Sequence, residues 1–166
     1  MVIIISGPPG AGKSTVAEAL AAKFPQSASF STDIIRQFIK GGNIAPWETG
    51  ELATAQMKLS DDIVQDIIKR YTDKEYVVIL DGIYGDGDIQ KYQTLFGKVR
   101  GFILLPLLEI LKERDSNREE EKRVPHRVEP LYNDFSSKEH ELFEVIDNSR
   151  QTVTETVEYI YERLKK

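Results

Sequence analysis

A glycine-rich segment near the start of the chain has the residue types and spacing of a phosphate-binding loop. Residues 7–14 read Gly-Pro-Pro-Gly-Ala-Gly-Lys-Ser and match the pattern G-x-x-x-x-G-K-[ST]. Glycines let backbone N–H groups curl around a phosphate, and the N-terminus of a following helix adds partial positive charge. We therefore expect nucleotide contacts from Gly7, Pro8, Pro9, Gly10, Ala11, Gly12, Lys13, Ser14 and Thr15.

Three side chains are expected to hold the charged part of such a nucleotide. Lys13 is predicted to bridge the β- and γ-phosphate oxygens, and the Ser14 hydroxyl to ligate Mg²⁺. Residues 77–81 form an apolar run that ends in an acid, so Asp81 is predicted to hold the Mg²⁺ hydration shell. A buried strand that ends in a solvated aspartate is the alternative interpretation of Asp81.

A second group of residues has the chemistry to handle a phosphoryl acceptor. Asp33 and Arg36 stand three residues apart, on one face of a predicted helix. The carboxylate can take the proton of an attacking hydroxyl while the guanidinium orients the acceptor. Trp47 is a candidate wall of the same pocket. The alternatives are a helix-terminal charge with an ordinary salt bridge, and a loop aromatic packed on the core.

Residues 112–135, a charged excursion from the apolar pattern, are predicted to form a helical lid. Arg114 and Arg118 stand at i and i+4 in it, and planar guanidinium groups suit phosphate oxygens. Such a lid would exclude water and bring an arginine to the transferring phosphoryl group. Residues 112–127 hold six Lys/Arg and five Asp/Glu, so a solvated charged helix is the alternative.

The elements that must position these residues alternate between strands and helices. Short apolar runs predict strands at residues 2–5, 76–81, 99–105 and 143–146, and residues 27–32 predict a weaker strand. Amphipathic or alanine-rich stretches predict helices at residues 14–23, from 33, 51–71, between the third and fourth strands, 107–121, up to 135, and 152–164. Asp86 and Asp88 are expected to be turn formers. This alternation is typical of an α/β fold, and we expect one domain over residues 1–166.

Composition limits the function classes. The chain has 166 residues, a formal charge of −5 and no cysteine, which excludes thiol nucleophiles, iron–sulfur clusters and cysteine-ligated zinc. The cytoplasm fits this composition best, and His126 and His140 are expected to face solvent. No apolar run approaches the ~20 residues that a bilayer requires, so we expect no membrane contact. The mild acidity disfavours tight non-specific binding of nucleic acid.

Taken together, these motifs resemble the small P-loop kinases along essentially the whole chain. The resemblance rests on residues 7–14, Asp33-x-x-Arg36, the strand ending at Asp81 and Arg114-x-x-x-Arg118. It implies a three-layer αβα P-loop NTPase fold, with a five-stranded parallel sheet in the order 2-3-1-4-5 and a helical lid. It also implies ATP and Mg²⁺ as cofactors.

Two branches of these kinases are similar to the chain. Polynucleotide kinases share Asp33-x-x-Arg36-Gln37 and a lid arginine pair before Val124-Pro125, although the spacing from Arg118 to Val124 is one residue longer than expected. That resemblance implies a general base at Asp33, acceptor phosphate binding by Arg36, and ATP binding by the two lid arginines.

The second branch comprises phosphotransferases similar to gluconate, shikimate and chloramphenicol kinases. Uncharacterised bacterial relatives in this branch have loops like Gly41-Gly42 and Pro46-Trp47-Glu48, and the resemblance implies that Arg150 or Gln151 lies near the adenine. We expect a kinase for a hydroxyl of a small metabolite or nucleoside-like acceptor. A polynucleotide 5′-hydroxyl kinase and a non-kinase NTPase switch are the alternatives.

Overall fold

One parallel sheet organises the chain. The computed structural model describes residues 1–165 and contains strands β1 (Val2–Ser6), β2 (Ser27–Ser31), β3 (Val77–Asp81), β4 (Val99–Leu104) and β5 (Phe143–Ile146). The strands lie in the order β2-β3-β1-β4-β5, and every pairing is parallel. The predicted α/β class, the five parallel strands and the 2-3-1-4-5 order are therefore confirmed.

Helices cover both faces of this sheet. They are α1 (Lys13–Ala21), α2 (Thr32–Gln37), α3 (Glu51–Thr72), α4 (Asp86–Phe96), α5 (Leu108–Ser116), α6 (Pro125–Ser137) and α7 (Val153–Leu164), with a short 3-10 turn at Glu120–Lys122. Among residues 1–165, no helix combines the length and the apolar character needed to cross a membrane.

The central strand β1 explains why the chain begins with an uninterrupted apolar run. Val2 and Ile4 pack into the core beneath α3 and α4, whereas Ile3 and Ile5 pack beneath α1 and α7. All four side chains are fully buried. A strand covered on both faces has no solvent side and therefore no polar alternation. Because all strands are parallel, their carboxyl ends meet at one edge, where a ligand site is expected.

The lid departs from its predicted helical course. A single helix over residues 107–121 is wrong, since α5 ends at Ser116 and the chain turns back. The buried carboxylate of Asp115 accepts hydrogen bonds from the Val124 N–H (3.1 Å) and from Arg118 Nη1 (3.3 Å). Burial of this carboxylate requires such partners, and they fold residues 117–124 across the end of α5. Arg114 and Arg118 therefore do not share one helix face.

Asp86 and Asp88 do more than form a turn, so that prediction is wrong. Asp88 lies in the first turn of α4 and accepts from the Gly85 N–H at 2.8 Å, which caps the helix. Asp86 accepts from the backbone N–H groups of Glu141 (3.0 Å) and Leu142 (3.2 Å). It thereby fixes the chain that enters β5.

Gly101 in the middle of β4 provides a test of the packing. A Cβ atom there would overlap Ile89 and would come within 2.6 Å of Phe143 Cδ1. We expect Gly101→Ala to lower the free energy of unfolding by about 1–3 kcal/mol, measured by urea denaturation. Gly87→Ala is the matched control, because a Cβ at Gly87 meets open space. Equal losses in both variants would contradict the packing argument.

Candidate functional site

The glycine-rich segment forms the connection between β1 and α1. Gly7, Gly10 and Gly12 have φ values of 140°, 84° and 89°, so the chain doubles back on itself. At Gly10, a Cβ atom would stand 2.7 Å from the Leu111 carbonyl oxygen, and only glycine fits between this loop and α5. The loop ends at the N-terminus of α1, whose free N–H groups attract anions.

The two residues predicted to hold Mg²⁺ are in direct contact. The Ser14 hydroxyl donates a hydrogen bond to Asp81 Oδ1 at 2.8 Å. Burial raises the pKa of the Asp81 carboxyl, while the Ser14 hydrogen bond and the charge of Lys13 oppose this shift. Within the described residues, no three His, Cys, Asp or Glu side chains cluster as a metal cage. A hydroxyl beside one carboxylate fits Mg²⁺, which takes its remaining ligands from phosphates and water.

Lys13 is half-buried between these groups and the loop. Its ammonium donates to the Pro8 carbonyl at 3.0 Å. Burial lowers the pKa of Lys13 to about 8, the charges of Asp81 and Asp33 raise it, and the charge of Arg118 lowers it further. Charges from β3, α2 and the lid thus act on one ammonium group, which the loop binds through the Pro8 carbonyl.

Asp33 lies on the same side of the sheet. It is exposed at the second residue of α2, directly after β2. Its charge acts on Asp81 as well as on Lys13. The Thr32 hydroxyl next to it reaches the Asp81 carbonyl at 3.5 Å, so the start of α2 is joined to the end of β3. Asp33 therefore stands beside the Ser14–Asp81 contact.

Arg36 has a structural contact that the sequence did not indicate. Its Nη2 donates to the Ile44 carbonyl at 2.7 Å, within residues 38–50, which we term the α2–α3 loop. Its Nε is buried without a hydrogen-bond partner in residues 1–165. Arg36 thus anchors the loop that follows it, and its contact with an acceptor remains a prediction.

Gln56 of α3 is a second anchor of this loop, and its role was not predicted from the sequence. Its Oε1 accepts from the Ile44 N–H at 2.9 Å, and its Nε2 donates to the Gly42 carbonyl at 2.7 Å. The side chain is 8% exposed. A glutamine at a position that α3 buries was the available signal, because a buried amide needs partners.

The remaining candidates are one tryptophan and two histidines, and only Trp47 and His126 contact each other. Trp47 is half-exposed and lies edge-on to His126, so it packs against α6 and not against the core. His126 is exposed apart from this contact. For His140 the solvent-facing prediction is wrong. It is half-buried beside the rings of Phe135 and Phe143, with Nε2 2.8 Å from the Phe135 carbonyl oxygen.

The two lid arginines have different partners. Arg114 Nη2 donates to the Asn148 carbonyl at 3.4 Å, in the turn between β5 and α7. Arg118 Nη1 donates to Asp115 and, at 3.2 Å, to the Lys122 carbonyl. Arg114 is therefore bound to the turn after β5, whereas Arg118 is bound within the lid, from where its charge acts on Lys13.

Asn148 connects the phosphate-binding loop to the lid and was also missed. Its side chain is 4% exposed, and its Nδ2 donates to the Ala11 carbonyl at 3.0 Å. The backbone carbonyl of Asn148 accepts the hydrogen bond from Arg114. The resemblance directed attention to the neighbouring Arg150 and Gln151, whose contact with adenine stays a prediction.

These features define a P-loop nucleotide-binding protein: a buried strand, a glycine loop that opens a helix, and an acid from the adjacent strand at the loop's serine. A family model described as AAA domain matches residues 2–130. The chain belongs to this AAA domain family.

Two curated relatives are adenylate kinases. That of Zymomonas mobilis subsp. mobilis is 39% identical over 85 residues, covering 49% of this chain and 38% of the relative. That of Syntrophomonas wolfei subsp. wolfei is 38% identical over 69 residues, covering 42% of this chain and 32% of the relative. The matches thus span well under half the length of these relatives.

Solved structures share the fold over almost the whole chain. A sugar kinase from Janibacter sp. HTCC2649 has a TM-score of 0.77 at 18% identity, covering 99% of this chain and 94% of that one. A putative kinase from Chloroflexus aurantiacus has a TM-score of 0.68 at 16% identity, covering 99% and 95%. The tunicamycin resistance protein of Deinococcus radiodurans has a TM-score of 0.69 at 19% identity, covering 98% and 94%. The predicted fold resemblance to small P-loop kinases is confirmed.

The lowered pKa of Lys13 predicts how nucleotide affinity depends on pH. Above its pKa of about 8, the free protein loses the Lys13 charge, and a bound phosphate must restore it. We expect ADP affinity to fall by up to about tenfold per pH unit above this value, with proton uptake on binding. Calorimetry with ADP and EDTA, in two buffers of different ionisation enthalpy, measures both quantities without Mg²⁺.

Lys13→Met is the matched control, because methionine carries no charge at any pH. The affinity of this variant for ADP should be lower than that of the unmodified protein and should not change over the same pH range. An equally flat profile for the unmodified protein would contradict the assignment of Lys13 to the phosphates.

Proposed function

We propose that this chain is an ATP-dependent kinase that transfers the γ-phosphoryl group to a hydroxyl of a small acceptor. The observation that carries the proposal is the Ser14–Asp81 contact beside Lys13, with the charge of Asp33 acting on both Lys13 and Asp81. In this proposal, a nucleotide site and a carboxylate base lie together at the carboxyl edge of the sheet. Membership of the AAA domain family and similarity to adenylate kinases support this reading.

The residues at the loop have separate tasks in this proposal. The backbone N–H groups of the phosphate-binding loop, which only Pro8 and Pro9 lack, and those at the start of α1 bind the β-phosphate. Lys13 exchanges its bond to the Pro8 carbonyl for bonds to phosphate oxygens. Ser14 and Asp81 would hold Mg²⁺, which supplies charge neutralisation at the β- and γ-phosphates when bound. Most of the catalysis then comes from positioning and charge stabilisation.

Asp33 performs the proton transfer. Its carboxylate accepts the proton of the acceptor hydroxyl while that oxygen forms a bond to the γ-phosphorus. The bond from the γ-phosphorus to the bridging oxygen breaks, and ADP leaves with that oxygen. Arg118 has Nε and Nη2 outside the hydrogen bonds that it forms within residues 1–165, so these groups are free to reach the transferring phosphoryl group.

The contacts of the α2–α3 loop favour a small acceptor as the substrate rather than a polynucleotide 5′ end. Arg36 and Gln56 anchor this loop at Ile44 and Gly42, and Trp47 extends from it to His126 of the lid. We infer that this contact between the loop and the lid restricts access to the acceptor site, which favours a small acceptor over a nucleic-acid strand.

A panel of acceptors with γ-labelled ATP tests the function. It includes sugars, sugar acids, nucleosides and 5′-hydroxyl oligonucleotides, with Lys13→Ala as the background control. We expect label on a small acceptor and slow release of free phosphate without one. Label on the oligonucleotides would favour the polynucleotide alternative, and phosphate release at one rate with every acceptor would favour an NTPase switch.

Asp33→Asn separates the proton-transfer role from metal binding. The amide keeps the shape but cannot accept the proton, so transfer to the acceptor found in the panel should fall by roughly 10²–10⁴-fold. Affinity for Mg·ADP should barely change. Asp62→Asn, an exposed change on α3 at a residue paired with Lys58, is the control. Lost nucleotide affinity would reassign Asp33 to the metal site, and full activity would exclude it from catalysis.

We expect substitutions of Arg118 and Arg114 to change different constants, kcat for Arg118 and the Kd for Mg·ADP for Arg114. Arg118→Ala should lower kcat by about 10³-fold, the range of an arginine that stabilises the transferring phosphoryl group. Arg114→Ala should mainly raise the Kd for Mg·ADP. Steady-state kinetics and calorimetry on both variants check this. A kcat within about threefold of the unmodified protein for both Arg118→Ala and Arg118→Lys would reduce Arg118 to a surface charge.

A further inference from the structure

One side chain connects the α2–α3 loop to the lid. The Trp47 indole and the His126 imidazole have centroids 5.5 Å apart and planes at 78°, which is an edge-to-face contact. The Arg127 guanidinium carbon lies 5.4 Å from the centroid of the same indole, within the range of a cation–π interaction. Both partners lie in the first turn of α6.

Arg127 has no competing charged partner within the described residues. No carboxylate of residues 1–165 forms an ion pair with it, whereas Lys112 on the adjacent α5 pairs with Glu129. Its guanidinium is half-buried and lies against the indole. The Trp47 ring is therefore the group that fixes this side chain.

On the loop side, Trp47 is connected through Ile44 to α2, which carries the proposed acceptor-binding residues. Ile44, three residues before Trp47, is held by Arg36 and by Gln56. Arg36 is one helical turn from Asp33 on α2. The Ile44 backbone is thus bonded to α2 through Arg36 at 2.7 Å and to α3 through Gln56 at 2.9 Å.

On the lid side, His126 and Arg127 are connected through Val124 and Asp115 to the two arginines proposed to bind the nucleotide. His126 and Arg127 follow Val124, whose N–H is bound by Asp115 at 3.1 Å. Asp115 also holds Arg118 and directly follows Arg114. The position of α6 is thus linked to the position of both lid arginines.

We propose that Trp47 is a positioning residue that couples the α2–α3 loop to the lid through Arg127 and His126. The loop around the acceptor and the arginines around the nucleotide then move into place together. This inference rests on the proposed function and adds to it a specific link between the two halves of the cleft. Coupling of this kind is reciprocal, so a change at the loop alters binding at the nucleotide.

A double-mutant cycle on Mg·ADP affinity tests the coupling without any acceptor. Trp47→Leu and Arg127→Gln should each weaken Mg·ADP binding by about two- to fivefold, the range of one exposed cation–π contact. The double variant should be no weaker than either single variant, because both remove the same contact. Lys138→Gln, at the far end of α6, is the matched control and should bind like the unmodified protein.

Two outcomes of this cycle would overturn the proposal. The first is unchanged affinity in both single variants, and the second is losses that multiply in the double variant. Circular dichroism and thermal melts establish that each variant is folded. Trp47 and Arg127 are partly exposed, so these substitutions leave the core intact.

Trp47 is the sole tryptophan of the chain, so its fluorescence reports directly on this contact. Saturation with Mg·ADP should change the emission of the unmodified protein, with the same Kd as calorimetry. In Arg127→Gln, this change should be lost while nucleotide binding persists. An emission spectrum that Mg·ADP does not alter in the unmodified protein would contradict the coupling.

The kinase assay then distinguishes a failed coupling from a failed function. Both readouts above use Mg·ADP alone, so they hold whether or not the acceptor panel gives a product. With an acceptor in hand, Trp47→Leu should raise the acceptor KM with a smaller effect on kcat, and Trp47→Phe should restore it. An unchanged KM in Trp47→Leu would leave the kinase proposal standing and would overturn the coupling.

Discussion

The hydrogen bond between Ser14 and Asp81 sets the geometry on which the rest of the site depends. It joins the first turn of α1 to the end of β3, 67 residues further along the chain. The contact exists because β1 and β3 are parallel neighbours, with Ile5 opposite Asp81. A strand order without β3 beside β1 would separate the phosphate-binding loop from its acidic partner. The apolar side chains of β1, buried on both faces, require a position inside the sheet for this strand.

Two charged side chains, the half-buried Lys13 and the buried Asp81, dominate the electrostatics of the site. Lys13 is held where burial disfavours its ammonium form, and Asp81 is held where burial disfavours its carboxylate. Each charge is opposed by burial and supported by the other. A nucleotide phosphate and a divalent cation would complete both sets of interactions. The site is thus arranged for ligands that bring charge with them.

Buried polar side chains hold the segments around the cleft. Asp115 turns the lid back at Val124, Gln56 binds the α2–α3 loop at Gly42 and Ile44, and Asn148 joins the phosphate-binding loop to the turn after β5. In each case the side chain bonds to backbone groups that regular secondary structure leaves unpaired. These anchors let irregular segments hold defined positions beside the sheet.

The sequence by itself determined the features that depend on local pattern. The spacing of residues 7–14 specified the phosphate-binding loop, and apolar runs located the strands other than β2, including the one that ends at Asp81. Tertiary structure decided where polar side chains find partners: Asn148 bonds to Ala11, 137 residues away, and Arg36 turns to Ile44. It also ended α5 at Ser116 and packed the half-buried His140 beside Phe135 and Phe143. Periodicity reports which face of an element is apolar, but the partner of a buried polar group depends on segments that only folding brings together.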